Sequence, residues 1–215
     1  MSYLPEVLEE FRIDESTELT IDDFLERAKL DKEEYKFYKI ANTGVKPLKS
    51  FEENPDVNPI LYTPVDEHID SYNQYKECVY ILTINRKIVK IGGTYTGMKK
   101  RHSSYNCGTR KARKKGTCSV TNYHITEAQY AAISDGKLVE WYVYDVPPEP
   151  VTRKIWNRTR TVFPKFYTFF ETDLCGIYVE ITGHRPLLSK NAGVEKSKKS
   201  KKSKKSKKSK TTKCK

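Results

Sequence analysis

Residues 78–94 read CVYILTINRKIVKIGGT. The run CVYILTI at 78–84 is apolar and β-branched, Asn85-Arg86-Lys87 is polar, and IVKIGG at 88–93 is apolar again. Two short apolar runs around a polar break predict a β-hairpin, here without an Asn-Gly or Asp-Gly turn dipeptide. A three-residue turn at 85–87 sets Leu82 opposite Lys90 and Tyr80 opposite Gly92. Tyr80 and Lys90 then share one face as diagonal neighbours. Gly92-Gly93 allows another group to approach the backbone closely.

Outward from this hairpin, residues 94–105 (TYTGMKKRHSSY) predict a short helix capped by Thr94 or Thr96. Four-residue spacing puts Arg101 and Tyr105 on one face of it. Residues 106–122 are polar, basic and glycine-punctuated, hence a loop. A helix is expected over 126–134, with Thr126 and Gln129 spaced as a capping box, and a strand over 137–146 (KLVEWYVYDV). Pro147, Pro148 and Pro150 break the chain. Apolar residues at helical spacing then predict a helix over 165–182, with Gly176 as a possible end. Glu171 sits on it beside Phe169 and Phe170.

The chain has 215 residues and a formal net charge of +12, distributed very unevenly. Residues 1–70 hold 8 basic and 18 acidic residues, residues 71–195 hold 20 and 10, and residues 196–215 hold 12 lysines and no acid. The length suits one domain with appendages: an acidic, partly helical arm at 1–72, a core domain at 73–193, and a Ser-Lys-Lys repeat tail at 194–215. In the arm, residues 16–30 predict an amphipathic helix, 32–40 a second with poorer spacing, and 42–64 irregular chain. It serves as a specificity or dimerisation arm, or simply as a packing layer. Its repeat SKKSKKSKKSKKSK at 197–210 carries no apolar residue to offset ordering entropy, so the tail is expected to be disordered. It reads as phosphate-seeking, as a nuclear localisation signal, or as a solubilising extension.

No run approaches the roughly eighteen apolar residues of a membrane span, and the opening MSYLPEVLEE has no signal-peptide core. Five cysteines without a CxxC pair, and four scattered histidines, give no zinc spacing. A reduced intracellular compartment is the simplest expectation.

Taken together, VYIL at 79–82, KIGGT at 90–94, Arg101, Glu171 and Asn191 resemble the GIY-YIG nuclease superfamily. In that family a first-motif tyrosine, a second-motif glycine, a helix arginine, a metal-binding glutamate and a late asparagine occur in this order. Here Cys78-Val79-Tyr80 stands for GIY and Lys90-Ile91-Gly92 for YIG. The lysine version is similar to one subgroup of GIY-YIG restriction endonucleases. The resemblance spans roughly residues 78–191, with an enlarged insert between Arg101 and Glu171. It implies an α+β fold in which a three-stranded antiparallel sheet is flanked by helices. It also implies one Mg²⁺ per active site on Glu171, and a catalytic set of Tyr80, Lys90 and Arg101 with Gly92 and Asn191 beside it; Tyr105 joins the set through its spacing from Arg101.

Those residue types suit phosphodiester hydrolysis, which needs an activated water, a Lewis acid and positive charge at the developing oxyanion. A free phenol has a pKa of about 10, so a neighbouring Lys90 either favours the phenolate or shuttles the proton itself. Arg101 can clamp a phosphate and Tyr105 can hydrogen-bond it. Lys99, Lys100, Arg110, Lys111, Arg113, Lys114 and Lys115 form an acid-free run able to neutralise phosphates, with Asn122 suited to base edges. The expectation is a sequence-specific, Mg²⁺-dependent endonuclease on double-stranded DNA, a type II restriction enzyme acting as a homodimer. Alternatives are a repair, homing or viral-genome nuclease, or a DNA-binding protein without catalysis.

Overall fold

The computed structural model describes residues 4–31, 33–54 and 56–189. Along the chain run α1 (Ile21–Arg27), β1 (Tyr38–Val45), α2 (Leu48–Glu53), β2 (Ile60–Pro64), α3 (Ile69–Asn73), β3 (Cys78–Ile84) and β4 (Lys87–Thr94). They are followed by α4 (Gly97–Tyr105), α5 (Arg110–Lys114), α6 (Val120–Ser134), β5 (Val139–Asp145), β6 (Val151–Ile155), β7 (Arg158–Val162) and α7 (Tyr167–Thr182). The α+β class is as expected, but the sheet is larger. Five antiparallel strands lie in the order β2-β1-β5-β3-β4, where three were expected. The two additional strands come from residues assigned to the N-terminal arm. The tail lies outside the described residues.

Strand β3 is buried at every position because β5 and β4 flank it and helices cover both faces. A strand buried on both sides needs an unbroken apolar run, which is why CVYILTI was recognisable. One face packs Tyr80, Leu82 and Ile84 with Met98, Tyr105, Ile125 and Trp141. The other packs Val79, Ile81, Ile88 and Ile91 with Phe24 of α1 and Leu174, Cys175 and Tyr178 of α7.

The hairpin turn has two residues, not three. Asn85 and Arg86 both have positive φ, 49° and 65°, the conformation that follows the twist of the flanking strands. Asn85 is held there by donating to Glu15 and accepting from the Leu138 N–H. The tighter turn pairs Ile84 with Lys87 and Thr83 with Ile88, and a bulge then restores Leu82 opposite Lys90 and Tyr80 opposite Gly92. The expected register at the site therefore holds, reached by a shorter turn plus one extra residue.

Residues 32–40 do not form the expected helix. Tyr38 begins β1, and Tyr35 and Phe37 instead stack near Tyr144 of β5. Residues 42–64, expected to be irregular, complete β1 and form α2 and β2. Their strand character comes from pairing with β5 and with each other rather than from local pattern. The expected loop at 106–122 contains α5, and α6 starts at Val120 with Ser119 as the cap that accepts from the Asn122 N–H. Thr126 and Gln129 are thus inside α6, not a capping box. Thr126 donates to the Tyr105 carbonyl, and Gln129 to Tyr62 and to the Ile125 carbonyl. Helix α7 runs through Gly176 to Thr182.

The outer side of β4 is covered by the segment leading into α1 and by the end of the described chain. The Ile88 N–H donates to the Leu19 carbonyl, and the Leu188 N–H donates to Val89 at 2.7 Å. Ser189 Oγ accepts from the Ile91 N–H and donates to its carbonyl. Among the described residues no helix is long and apolar enough to cross a membrane.

Candidate active site

The candidate site lies where β3 and β4 meet α4 on one face of the sheet and α7 on the other. Tyr80 Oη is its hub: it shares a hydrogen bond of 2.8 Å with Tyr105 Oη and accepts one of 3.0 Å from Arg101 Nε. The Arg101 guanidinium also lies 4.5 Å from the Tyr105 ring centroid and 5.5 Å from that of Tyr80. Four-residue spacing on α4 makes this grip possible, and the Trp141 ring backs both tyrosines. Tyr80 and Tyr105 are fully buried, whereas Arg101 and Glu171 remain partly exposed.

Gly92 and Gly93 are required by close approach. A Cβ on Gly92 would meet the Tyr80 ring at 2.4 Å, and one on Gly93 would meet Tyr167 at 2.5 Å and Glu171 Oε2 at 2.9 Å. The first glycine gives room to the phenol. The second lets its N–H reach the Glu171 carboxylate.

Electrostatics separates the groups. Burial pushes the Tyr80 hydroxyl well above the ordinary phenol value, Tyr105 adds to this, and Arg101 opposes it. Tyr105 is raised by burial as well. Burial also works against the charge on Arg101, but the two tyrosine oxygens more than offset that, so it is held firmly cationic. Lys90 is only 6% exposed and donates to the Leu188 carbonyl at 3.4 Å. Burial and Arg101 lower its pKa from 10.5 to about 8, with Glu171 opposing the shift. Burial raises the Glu171 carboxyl, against the pull of Lys90, Arg101 and the Gly93 N–H. The cation touching Tyr80 is therefore Arg101, while Lys90 is the cation whose proton affinity is lowered toward neutrality.

Among the described residues no three His, Cys, Asp or Glu side chains gather into a metal-binding group. A zinc-type cage is thus absent from this part of the chain. A single carboxylate, desolvated enough to be raised, fits a hard cation that keeps most of its waters and takes its remaining ligands from a phosphate.

The sequence-selected cations are placed differently. Lys99 donates to Asn73 at 2.9 Å, and Lys111 pairs with Asp56. Arg110 is forked onto the nearly buried Glu127 at 3.1 and 2.8 Å. Lys100, Arg113, Lys114 and Lys115 are exposed. Asn122 donates to the Ser104 carbonyl at 2.9 Å, which ties α6 to α4. Asn191 lies outside the described residues.

Four residues at the site escaped the sequence reading. Glu77 accepts from the Tyr167 N–H at 3.0 Å and so caps α7 from outside the helix. Tyr167 packs on Gly93, Trp141 backs the tyrosines, and Ser189 clips β4. Of these only Tyr167 carried a signal, being four residues before Glu171 on a helix.

No family model matches the chain, and no curated protein matches it. Among solved structures it is similar to the restriction endonuclease HPY188I in complex with product DNA. That match has a TM-score of 0.51 and 26% identity, covering 81% of this chain and 87% of that one. A mutant of bacteriophage T4 EndoII gives a TM-score of 0.43 and 17% identity, over 72% of this chain and 94% of that one. The chain thus shares its fold, and a quarter of its aligned residues, with a restriction endonuclease.

Proposed function

We propose that the protein is a Mg²⁺-dependent endonuclease of the GIY-YIG kind that cuts double-stranded DNA at a defined sequence, a type II restriction enzyme. The observation that carries this reading is the gathering of Tyr80, Lys90, Arg101, Tyr105 and Glu171, from four elements, into one group of neighbours with unequal proton affinities. Similarity to HPY188I supports the substrate class.

Hydrolysis forms a bond from a water oxygen to phosphorus and breaks the bond to the leaving ester oxygen. In this reading the water proton passes to Lys90. With a pKa of about 8, Lys90 is neutral in a useful fraction of molecules near pH 7. Tyr80, whose hydroxyl accepts from Arg101, orients the water and relays its proton. Arg101 and Tyr105 hold the phosphate and offset its growing negative charge, a role that strengthens where water is excluded. Glu171 is the protein ligand of Mg²⁺. When bound, the ion supplies Lewis-acid charge at the scissile phosphate. Cutting both strands with one site per chain calls for two copies, hence a homodimer.

The test is a plasmid digest in Mg²⁺. Discrete fragments of constant size are expected; a uniform smear would remove sequence specificity, and intact plasmid would remove the nuclease itself.

A further inference from the structure

Between β5 and α7 the chain leaves the main sheet and forms a separate two-stranded ribbon, β6–β7. Pro147, Pro148 and Pro150 precede it and Pro164 follows it, a stiff mount on both sides. Residues 152–161 are exposed throughout.

The pairing sets Val151 opposite Val162, Arg153 opposite Arg160 and Ile155 opposite Arg158. Residues directly opposite share a face, so three arginines lie together on one side of the ribbon. The other side carries Thr152, Lys154, Thr159 and Thr161. No acidic residue occurs in 151–162, and among the described residues none of the four cations has an acidic partner.

Arginine directly opposite arginine is unfavourable in an isolated pair of strands, and a lone two-stranded ribbon has little stability of its own. At its tip Trp156 is 92% exposed, with φ 54°, a backbone conformation that bulky side chains avoid. Phe163 at its foot is 67% exposed. The facing arginines and the two exposed rings would be relieved by an anionic partner with a surface for an aromatic ring.

We propose that β6–β7 is a second contact for duplex DNA, outside the catalytic site. In it Arg153, Arg158 and Arg160 take backbone phosphates and Trp156 enters a groove. This rests on the endonuclease reading above. A two-stranded ribbon fits the major groove, and an acid-free arginine face complements a polyanion. It would repel a second copy of itself in a symmetric contact. The ribbon is joined to the start of α7, the helix that carries Glu171.

Binding of a labelled duplex of about 30 base pairs, measured by anisotropy in EDTA across a salt series, tests this. The combined substitution R153Q/R158Q/R160Q should weaken binding and make the salt dependence of log K shallower by about 2–3. W156A should weaken binding about tenfold with the slope unchanged. Plasmid cleavage at limiting protein should fall in both variants in step with the lost affinity. Unchanged affinity and slope in both would overturn the ribbon contact, while persistent cleavage by wild type would leave the endonuclease reading standing. Loss of binding together with a change of mass by light scattering would overturn it too, marking the ribbon as a subunit arm. Wild type that fails to bind duplex also overturns it. If wild type cuts no plasmid but the variants still lose affinity, the endonuclease reading falls and the ribbon contact stands.

Discussion

Positive charge is used in two opposite ways in this molecule. In the candidate site, Lys90 and Arg101 are buried or half-buried, and each is fixed by oxygens within hydrogen-bond reach. On the β6–β7 ribbon, Arg153, Lys154, Arg158 and Arg160 stand in solvent, without acidic partners among the described residues. Burial lowers the proton affinity of Lys90, the tyrosine oxygens hold Arg101 cationic against its own burial, and both side chains are fixed in direction, which is what chemistry requires. Exposure leaves the second group open to solvent and to screening, which suits attraction to phosphate at range. The contrast teaches that the net charge of +12 is a poor guide to function; the surroundings of each charge decide its role.

The largest effect should come from Glu171→Gln, which keeps the shape but removes the anion. Plasmid cleavage should fall by about 10³-fold or more, comparable to losing one electrostatic catalytic group, while duplex binding in EDTA persists. Undiminished cutting would break the distinction between the site and the ribbon.

Lys90→Ala should slow cleavage by about 10²-fold, the scale of general acid–base catalysis. Its wild-type pH profile should rise as Lys90 loses its proton and level off above about 8. Arginine stays protonated, so Lys90→Arg should be as slow as alanine and lose the inflection. If arginine retains activity, Lys90 acts through its charge alone.

Gly93→Ala should cost about tenfold in rate and about 1–3 kcal/mol in stability, because its methyl group would overlap Tyr167 and Glu171. Thermal melting and steady-state rates would show whether the two losses occur together.

The smallest change concerns stability. Lys90 falls from 10.5 to about 8 on folding, so the unfolded chain holds this proton more tightly. The contribution is most unfavourable below about pH 8 and is relieved as pH rises toward 10.5. The full shift corresponds to about 3 kcal/mol. The double variant Lys90→Met with Glu171→Gln, which strands neither charge, should therefore be more stable at pH 7 by about 1–3 kcal/mol. A denaturant midpoint that does not rise would show that the buried amine costs little.

How much of this was legible in the sequence depended on whether local pattern and tertiary contact agreed. The β3–β4 hairpin was readable because a strand covered on both faces must be apolar at every position. The four-residue step from Arg101 to Tyr105 was readable because helix geometry alone brings them together. Residues 38–64 were not, because Tyr35, Phe37 and Tyr38 are satisfied by β5, about a hundred residues distant, and local spacing carries no trace of that partner. The ribbon was missed for the converse reason: with no face buried, its strands show no alternation of apolar and polar residues. The proton affinity of Lys90 could not be read at all, since it depends on burial and on α4 and α7 together.

The clip on β4 has a further consequence. An uncovered last strand offers a ready template for growth by a neighbouring molecule, and here Leu19, Leu188 and Ser189 already occupy those backbone groups. Shortening the chain to before Leu188 would unseal that border and remove the carbonyl that receives Lys90. Such a truncated protein would lose solubility and turnover at once, and a falling yield of active enzyme would then reflect intermolecular sheet growth as much as damaged chemistry.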